Sequence, residues 1–301
     1  MTGGTAVGDP QFVPEWAPFP PTTCAACGHR LLDLAAHCPT CHTQLVAPNV
    51  AVASRQDEQE ALVARVSGAF VARDASSAAR LVQFGDAMRT SVAVVNVSVS
   101  FAIDFVTEDK PLYAGYSKLV KGSVRRPAEG EADRHRTAVE SMLFGSYGEE
   151  IRYAALTMDG VGLLSYGPIA MILREAAIGH RASLLEENSY AFVERNKLRP
   201  GQPIPLGYRA PWITRHQLAM AKHASAIDGN TPRSSDCSLV LRNGGNRSED
   251  EFIEVYIYGP FNRGAVERIV APKNPPNGVS KTQLRMLRAK AKQGDLPMEE
   301  V

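Results

Sequence analysis

The sequence predicts an α+β fold: a small N-terminal cysteine module, then a domain of helices followed by a mostly antiparallel sheet. Three observations predict it. Four of the five cysteines fall into two Cys-x-x-Cys pairs, Cys24/Cys27 and Cys38/Cys41. From Gln56 onward Leu62, Val66, Ala69 and Phe70 recur at the three- and four-residue steps of an amphipathic helix. After Glu150 the chain changes to short runs rich in β-branched and aromatic residues, bounded by Gly, Pro, Asn and Ser clusters, which is the texture of strands.

Taken in order, residues 1–22 carry Pro10, Pro14, Pro18, Pro20 and Pro21 and no periodic apolar pattern, so they read as an extended arm on which Phe12, Trp16 and Phe19 can pack elsewhere. Residues 23–47 form the cysteine module, 46–53 read as a linker, and 48–301 form the α+β domain. A second helical run passes through Ala78, Leu81 and Val82. Residues 95–105 alternate, with Val95, Val97, Val99, Phe101, Ile103 and Phe105 on one side. That is a strand signal, although Val92, Val95, Val99 and Ile103 also fit a helix. Residues 132–143 read as a helix with Val139, Met142 and Leu143 on one face. Strands are expected at 151–158, 169–173, 238–241 and 252–258. A helix over 211–227 takes Pro211 as its first residue. The last helix, 281–293, is announced by Ser280 with Gln283 three places on and stopped by Gly294. No internal repeat is expected.

Composition narrows the function classes. Hydrophobic residues make up 44% and charged residues 22% of the 301, which excludes a wholly disordered chain. Thirty-three Lys and Arg against 32 Asp and Glu give a net charge of +1, which argues against a protein governed by nucleic-acid or membrane electrostatics. The N-terminus has no signal-peptide pattern, and polar residues interrupt the most apolar stretch, 92–106, so no membrane partner is expected. Paired cysteines in a chain this long point to metal, a reducing compartment and a cytoplasmic location.

Cys24-Ala-Ala-Cys27-Gly28 and Cys38-Pro-Thr-Cys41 stand ten residues apart. Two such knuckles facing each other close a tetrahedral shell of four thiolates, and Gly28 suits a turn whose backbone amides point at sulfur. A redox Cys-x-x-Cys is the competing reading, but that motif normally stands singly. His29, His37 and His42 lie beside the cysteines as neighbours rather than ligands. The segment resembles the short zinc ribbons common in bacterial and archaeal proteins. A closed four-cysteine shell has no open coordination position, so the expected Zn²⁺ is structural. With Arg30 against Asp33, its charge favours a protein partner over phosphate.

The remaining candidates are less local. Glu249-Asp250-Glu251-Phe252-Ile253-Glu254 leads into an apolar strand, where acids spaced by two can share one face. With Arg152 on an early strand and Ser165-Tyr166 on a middle one, this order resembles the Arg-Ser-Glu layout of ADP-ribosyltransferases, without that family's Ser-Thr-Ser run. The resemblance implies NAD held by Arg152, Ser165 and Tyr166, and transfer driven by Glu251 with Glu249 before it, or by Glu254. It implies nicotinamide–ribose cleavage through an oxocarbenium-like state helped by a carboxylate. The bland alternative is a solvated loop guarding a strand end. Glu186-Glu187-Asn188-Ser189 reads as an exposed turn, His216 and His223 as too far apart for one ion, and Cys237 as a spectator thiol. Lys281, Arg285, Arg288 and Lys292 form a basic stripe beside Leu284, Leu287 and Ala291, a weaker candidate for nucleic acid. The expectations are thus a zinc protein with NAD-dependent ADP-ribosyl transfer as its chemistry, or a non-catalytic zinc-ribbon scaffold.

Overall fold

The computed structural model describes residues 12–31, 35–71, 73–107, 113, 131–274 and 278–301, of which 131–137 are described by their backbone. Part of the predicted arm, residues 1–11, lies outside the described residues, as do 32–34 of the cysteine module. The architecture is α+β, as the sequence predicts. Helices α1 (Pro48–Ala53), α2 (Gln56–Val71) and α3 (Ala75–Met88) precede strand β1 (Val92–Val97). Then come α4 (Val99–Thr107), α5 (Glu131–Phe144), β2 (Ile151–Thr157), β3 (Ile169–Leu173), α6 (Glu175–Ile178), β4 (Ala182–Leu185) and α7 (Ser189–Arg195). The chain continues through β5 (Arg209–Pro211), α8 (Arg215–His223), α9 (Asp236–Val240), β6 (Leu241–Arg242), β7 (Glu251–Phe252), β8 (Glu254–Tyr258), β9 (Val266–Ala271), α10 (Lys281–Gln293) and β10 (Met298–Glu300). No described helix is long and apolar enough to cross a membrane.

Eight strands form one sheet in the order β10-β9-β3-β1-β2-β8-β4-β5, and β6 pairs with β7 in a separate two-stranded ribbon. Every pairing in the large sheet is antiparallel except β10 with β9. Strand side chains alternate between faces. Ala154, Leu156, Val255 and Ile257 therefore point one way, into the main core beneath α2, α3, α4, α8 and α10. Ile151 and Tyr256 point the other way, with Leu185, against Phe144 of α5 and Phe192 of α7. Farther along that second face Val94, Ala155 and Ile172 pack with Leu163 and Phe252. The sheet is thus covered on both faces, which is why β3 is buried throughout rather than alternating.

Several expectations need correction: the predicted 46–53 linker is mostly helix α1, the predicted 252–258 strand is divided at Ile253 between β7 and β8 of two different sheets, and Glu186 and Ser189 of the predicted exposed turn are buried. The predicted 95–105 strand is a strand that stops at Val97 and a helix that begins at Val99. Ser98 makes the break: its hydroxyl accepts from the Phe101 N–H, and Val99, Ala102, Phe105 and Val106 then fall on one buried helical stripe. The predicted 238–241 strand is mostly α9, where Asp236 and Val240 turn inward four residues apart and buried Arg80 pairs with Asp236. Pro211 does not open a helix; it ends edge strand β5 opposite Ser183, where its missing N–H costs no ladder bond, and the α-helix starts at Arg215 after one 3-10 turn. The final helix keeps its predicted capping box and its buried Leu284, Leu287 and Ala291.

The described part of the arm is anchored rather than loose. Phe12 stacks on Phe70 with ring centroids 5.9 Å apart. Buried Ala17 exchanges backbone hydrogen bonds with the Gln59 amide, at 2.7 and 3.1 Å. The Glu15 carboxylate meets Arg89, and its carbonyl accepts from Gln217 at 2.6 Å. Trp16 and Phe19 stay exposed between and beyond these anchors. Just after the module, Asn49 of α1 is buried and donates to the carbonyls of Arg181 and Tyr256 and to the Ser183 hydroxyl, pinning the chain to β4 and β8.

Candidate metal centre

The cysteine module is built from two copies of one turn, fourteen residues apart. In the first, the Cys24 N–H donates to the His29 carbonyl, the Gly28 N–H to Cys24 and the Leu31 N–H to Thr22. In the second, Cys38 donates to Thr43, His42 to Cys38 and Leu45 to Ala36. The isolated bridges Thr23–Arg30 and His37–Gln44 keep the same offset. The expectation of no internal repeat is therefore corrected: aligning the two cysteine pairs also aligns Leu31 with Leu45. A left-handed residue follows each pair, Gly28 at φ +72° and His42 at φ +57°. That backbone region is open to glycine and costs other residues strain, histidine less than most.

The two turns bring Sγ atoms of Cys24, Cys27, Cys38 and Cys41 within 4.8 Å of one another. Cys24 Sγ lies 3.6 Å from Cys41 Sγ, and Cys27 Sγ 3.6 Å from Cys38 Sγ. Zinc–thiolate bonds of about 2.3 Å in a tetrahedron put sulfurs about 3.8 Å apart, whereas a disulfide needs about 2.05 Å. The spacing fits a tetrahedral thiolate shell. Cys24 and Cys38 are buried, Cys27 and Cys41 exposed.

Hydrogen bonds favour the thiolate form on the second turn. The Thr43 hydroxyl, 3.2 Å from Cys41 Sγ, and the Thr43 N–H bring the Cys41 thiol down to about 6. The Cys41 N–H, chiefly, lowers that of Cys38. Thr43 was not singled out by the sequence, although the fourteen-residue alignment places it opposite His29. The donor set is all sulfur, the preference of zinc among common divalent ions, and four cysteines close the shell without an open position. Bound zinc would be held by these four side chains and would hold the two turns together; it would offer no site to a substrate.

The other predicted residues do not converge. Arg152 is fully buried, and its guanidinium donates to the backbone carbonyls of Tyr113 (3.1 Å), Glu149 (2.8 Å) and Ile151 (2.9 Å). Burial lowers its pKa, opposed by Glu150. Arg152 is registered opposite Ile257, while Glu254 is opposite Ala155. Opposed residues share a face and successive ones alternate, so Arg152 and Glu254 point to opposite faces, about 10 Å apart along the strand. Glu254 is itself buried, accepting from the Ser189 N–H at 2.8 Å, the Tyr256 hydroxyl at 3.1 Å and the Ser189 hydroxyl.

Ser165 binds Asp250 instead of any of the glutamates, and Asp250 also accepts from the Gly244 N–H at 3.0 Å. Tyr166 lies beneath Arg247, 4.5 Å from its ring centroid. Exposed Glu251 pairs with Arg242 across the β6–β7 ribbon, and the Glu249 N–H closes a turn onto Asn246. The Arg-Ser-Glu arrangement is therefore not assembled: Nε and Nη1 of the arginine are taken by backbone carbonyls, its buried Nη2 has no hydrogen-bond partner among the described residues, and the acids divide between a buried cap and a solvent-exposed ribbon. His216 and His223 are both buried, more so than the sequence indicates, with pKa values lowered by burial to about 4 and about 3. On the C-terminal helix Arg288 is paired with Glu300, which interrupts the basic stripe of Lys281, Arg285 and Lys292.

No protein-family model matches the chain, and no curated protein matches it.

Proposed function

We propose that this chain is a zinc-binding protein in which Cys24, Cys27, Cys38 and Cys41 hold one structural Zn²⁺, and that its role is non-catalytic: the zinc module presents a surface to a protein partner while the α+β domain anchors it. The single observation that carries the reading is the four-sulfur cluster, all Sγ atoms within 4.8 Å of one another, built by two turns with the same backbone hydrogen bonds. The anchored segment beside it supports the second half. Ala17 is buried, but Val13, Trp16 and Phe19 on the same segment stay exposed, and exposed aromatic side chains are the residues enriched at protein interfaces.

NAD-dependent ADP-ribosyl transfer is the rival reading. It asks Arg152 and a terminal glutamate to face one ligand, and the opposite orientation of Arg152 and Glu254 weighs against it. Nucleic-acid binding by the α10 stripe is weakened by the Arg288–Glu300 pair.

Metal analysis of the purified chain tests the zinc assignment. One zinc per chain is expected, with loss of that zinc in Cys24→Ala and Cys38→Ala; retention in both variants would overturn the four-cysteine site. For the chemistry, NAD consumption is expected to be absent. Turnover that disappears in Glu251→Gln or Glu254→Gln would replace the scaffold reading with the enzymatic one.

A further inference from the structure

The four thiols are not equivalent, and their inequality has a chemical consequence. Each 3.6 Å contact runs across the two knuckles rather than within one, and each joins an exposed sulfur to a buried one: Cys41 to Cys24, and Cys27 to Cys38. An oxidant from solvent meets Cys41 and Cys27 first, and each has a shielded thiol at hand to resolve the product. We propose that the cluster is a site of reversible oxidation by hydroperoxides, which converts it into two cross-knuckle disulfides, Cys24–Cys41 and Cys27–Cys38, with release of the metal.

The Cys41 thiolate attacks the terminal oxygen of a hydroperoxide; an S–O bond forms, the O–O bond breaks, and an alkoxide or hydroxide leaves. The Cys24 thiolate then attacks the sulfenic sulfur, forming the S–S bond and expelling hydroxide. Two thiolates lose two electrons and the peroxide gains them. A second hydroperoxide does the same at Cys27 and Cys38. Each disulfide withdraws two ligands from zinc, so the ion leaves as the module closes.

Cross-knuckle pairing also keeps the fold. It joins the two turns at the position the metal joined them, whereas Cys24–Cys27 and Cys38–Cys41 bonds would leave the turns unconnected. A reductant restores the four thiolates and the metal-binding state. Release of zinc rests on the zinc reading above; the pairing rests on the thiol geometry alone.

The sequence supplies a direct test. Arg30 is the only lysine or arginine between Cys27 and Cys38, and the next one after it is Arg55. Zinc content of the full chain is measured first, then the chain is treated with hydrogen peroxide, remaining thiols are alkylated, and the protein is digested with trypsin without reduction. Cross-knuckle bonds leave the peptide ending at Arg30 linked to peptide 31–55, with zinc free in solution. Two unlinked peptides, each carrying its own internal disulfide, overturn the inference, as do sulfinic or sulfonic acids without linkage. The Cys24→Ser variant separates the two cross pairings: Cys41 is expected to be the cysteine left outside the linkage, and Cys38 left outside would overturn the assignment. A chain that holds no zinc beforehand yet forms both links removes the zinc reading and keeps this one.

Discussion

The paired knuckles make a prediction with a sign. Gly28 and His42 occupy equivalent left-handed positions, and a Cβ built on Gly28 meets nothing within 4 Å. Gly28→Ala therefore adds backbone strain without a clash. A left-handed conformation costs an L-residue roughly 1–2 kcal/mol. The smaller conformational freedom of alanine in the unfolded chain returns about 0.4–1 kcal/mol. The net loss is about 1 kcal/mol, close to a fivefold weaker zinc affinity. His42→Gly runs the other way: strain is relieved, unfolded entropy rises, and binding tightens or stays level. The two variants should therefore differ by about 1–2 kcal/mol, or roughly 5–30-fold in zinc dissociation constant, with Gly28→Ala the weaker binder. Competition against a chromogenic zinc chelator reads this ratio. The reasoning fails if Gly28→Ala binds zinc as tightly as His42→Gly, because metal binding would then not depend on the left-handed turn.

Other predictions concern the domain. Gly167→Ala would drive a Cβ into the Val97 carbonyl, at a position whose own carbonyl accepts from Asn96, so we expect a loss of about 3 kcal/mol or more in urea unfolding; an unchanged midpoint would remove the close approach. Arg152→Leu removes the guanidinium donor to the Tyr113, Glu149 and Ile151 carbonyls and should cost about 1–3 kcal/mol, whereas an unchanged stability would return Arg152 to the list of functional candidates. His223 is buried against Phe84, and burial holds its pKa at about 3, below the usual value near 6.5. The unfolded chain binds that proton first, so the stabilisation is present above pH 6.5 and lost as pH falls toward 3, by about 1.4 kcal/mol per pH unit. His223→Leu should flatten the acid limb by about one proton; an unchanged slope between pH 6.5 and pH 4 contradicts the assignment.

The local features were legible because local chemistry specifies them. Two Cys-x-x-Cys pairs with a glycine after the first name a metal knuckle. Ser280 and Gln283 name a helix start, and both sides of that capping box form. Strand β3 and most of β2 follow from their own apolar runs. The failures arise where one apolar pattern serves two structures. From Val92 to Val106 the alternation of a strand and the step of a helix coexist, and only the Ser98 cap decides where one gives way to the other. Edge strands β5 and β10 have three residues each and too little pattern to see. The long-range arrangement was least legible. Arg152, Ser165 and Glu251, with Glu254 as the alternative acid, occur in the order of a catalytic layout, but order along the chain does not set the face of a sheet. Register does, and the Ala155–Glu254 pairing turns the acid away from the arginine.

The central claim is that four sulfurs, and no other atoms, bind one zinc ion between two equivalent turns. X-ray absorption at the zinc edge of the metal-loaded chain tests it most directly. Four sulfur neighbours at about 2.3 Å are predicted, with none from nitrogen or oxygen. A fit requiring a histidine nitrogen from His29, His37 or His42, or a water oxygen, would contradict it.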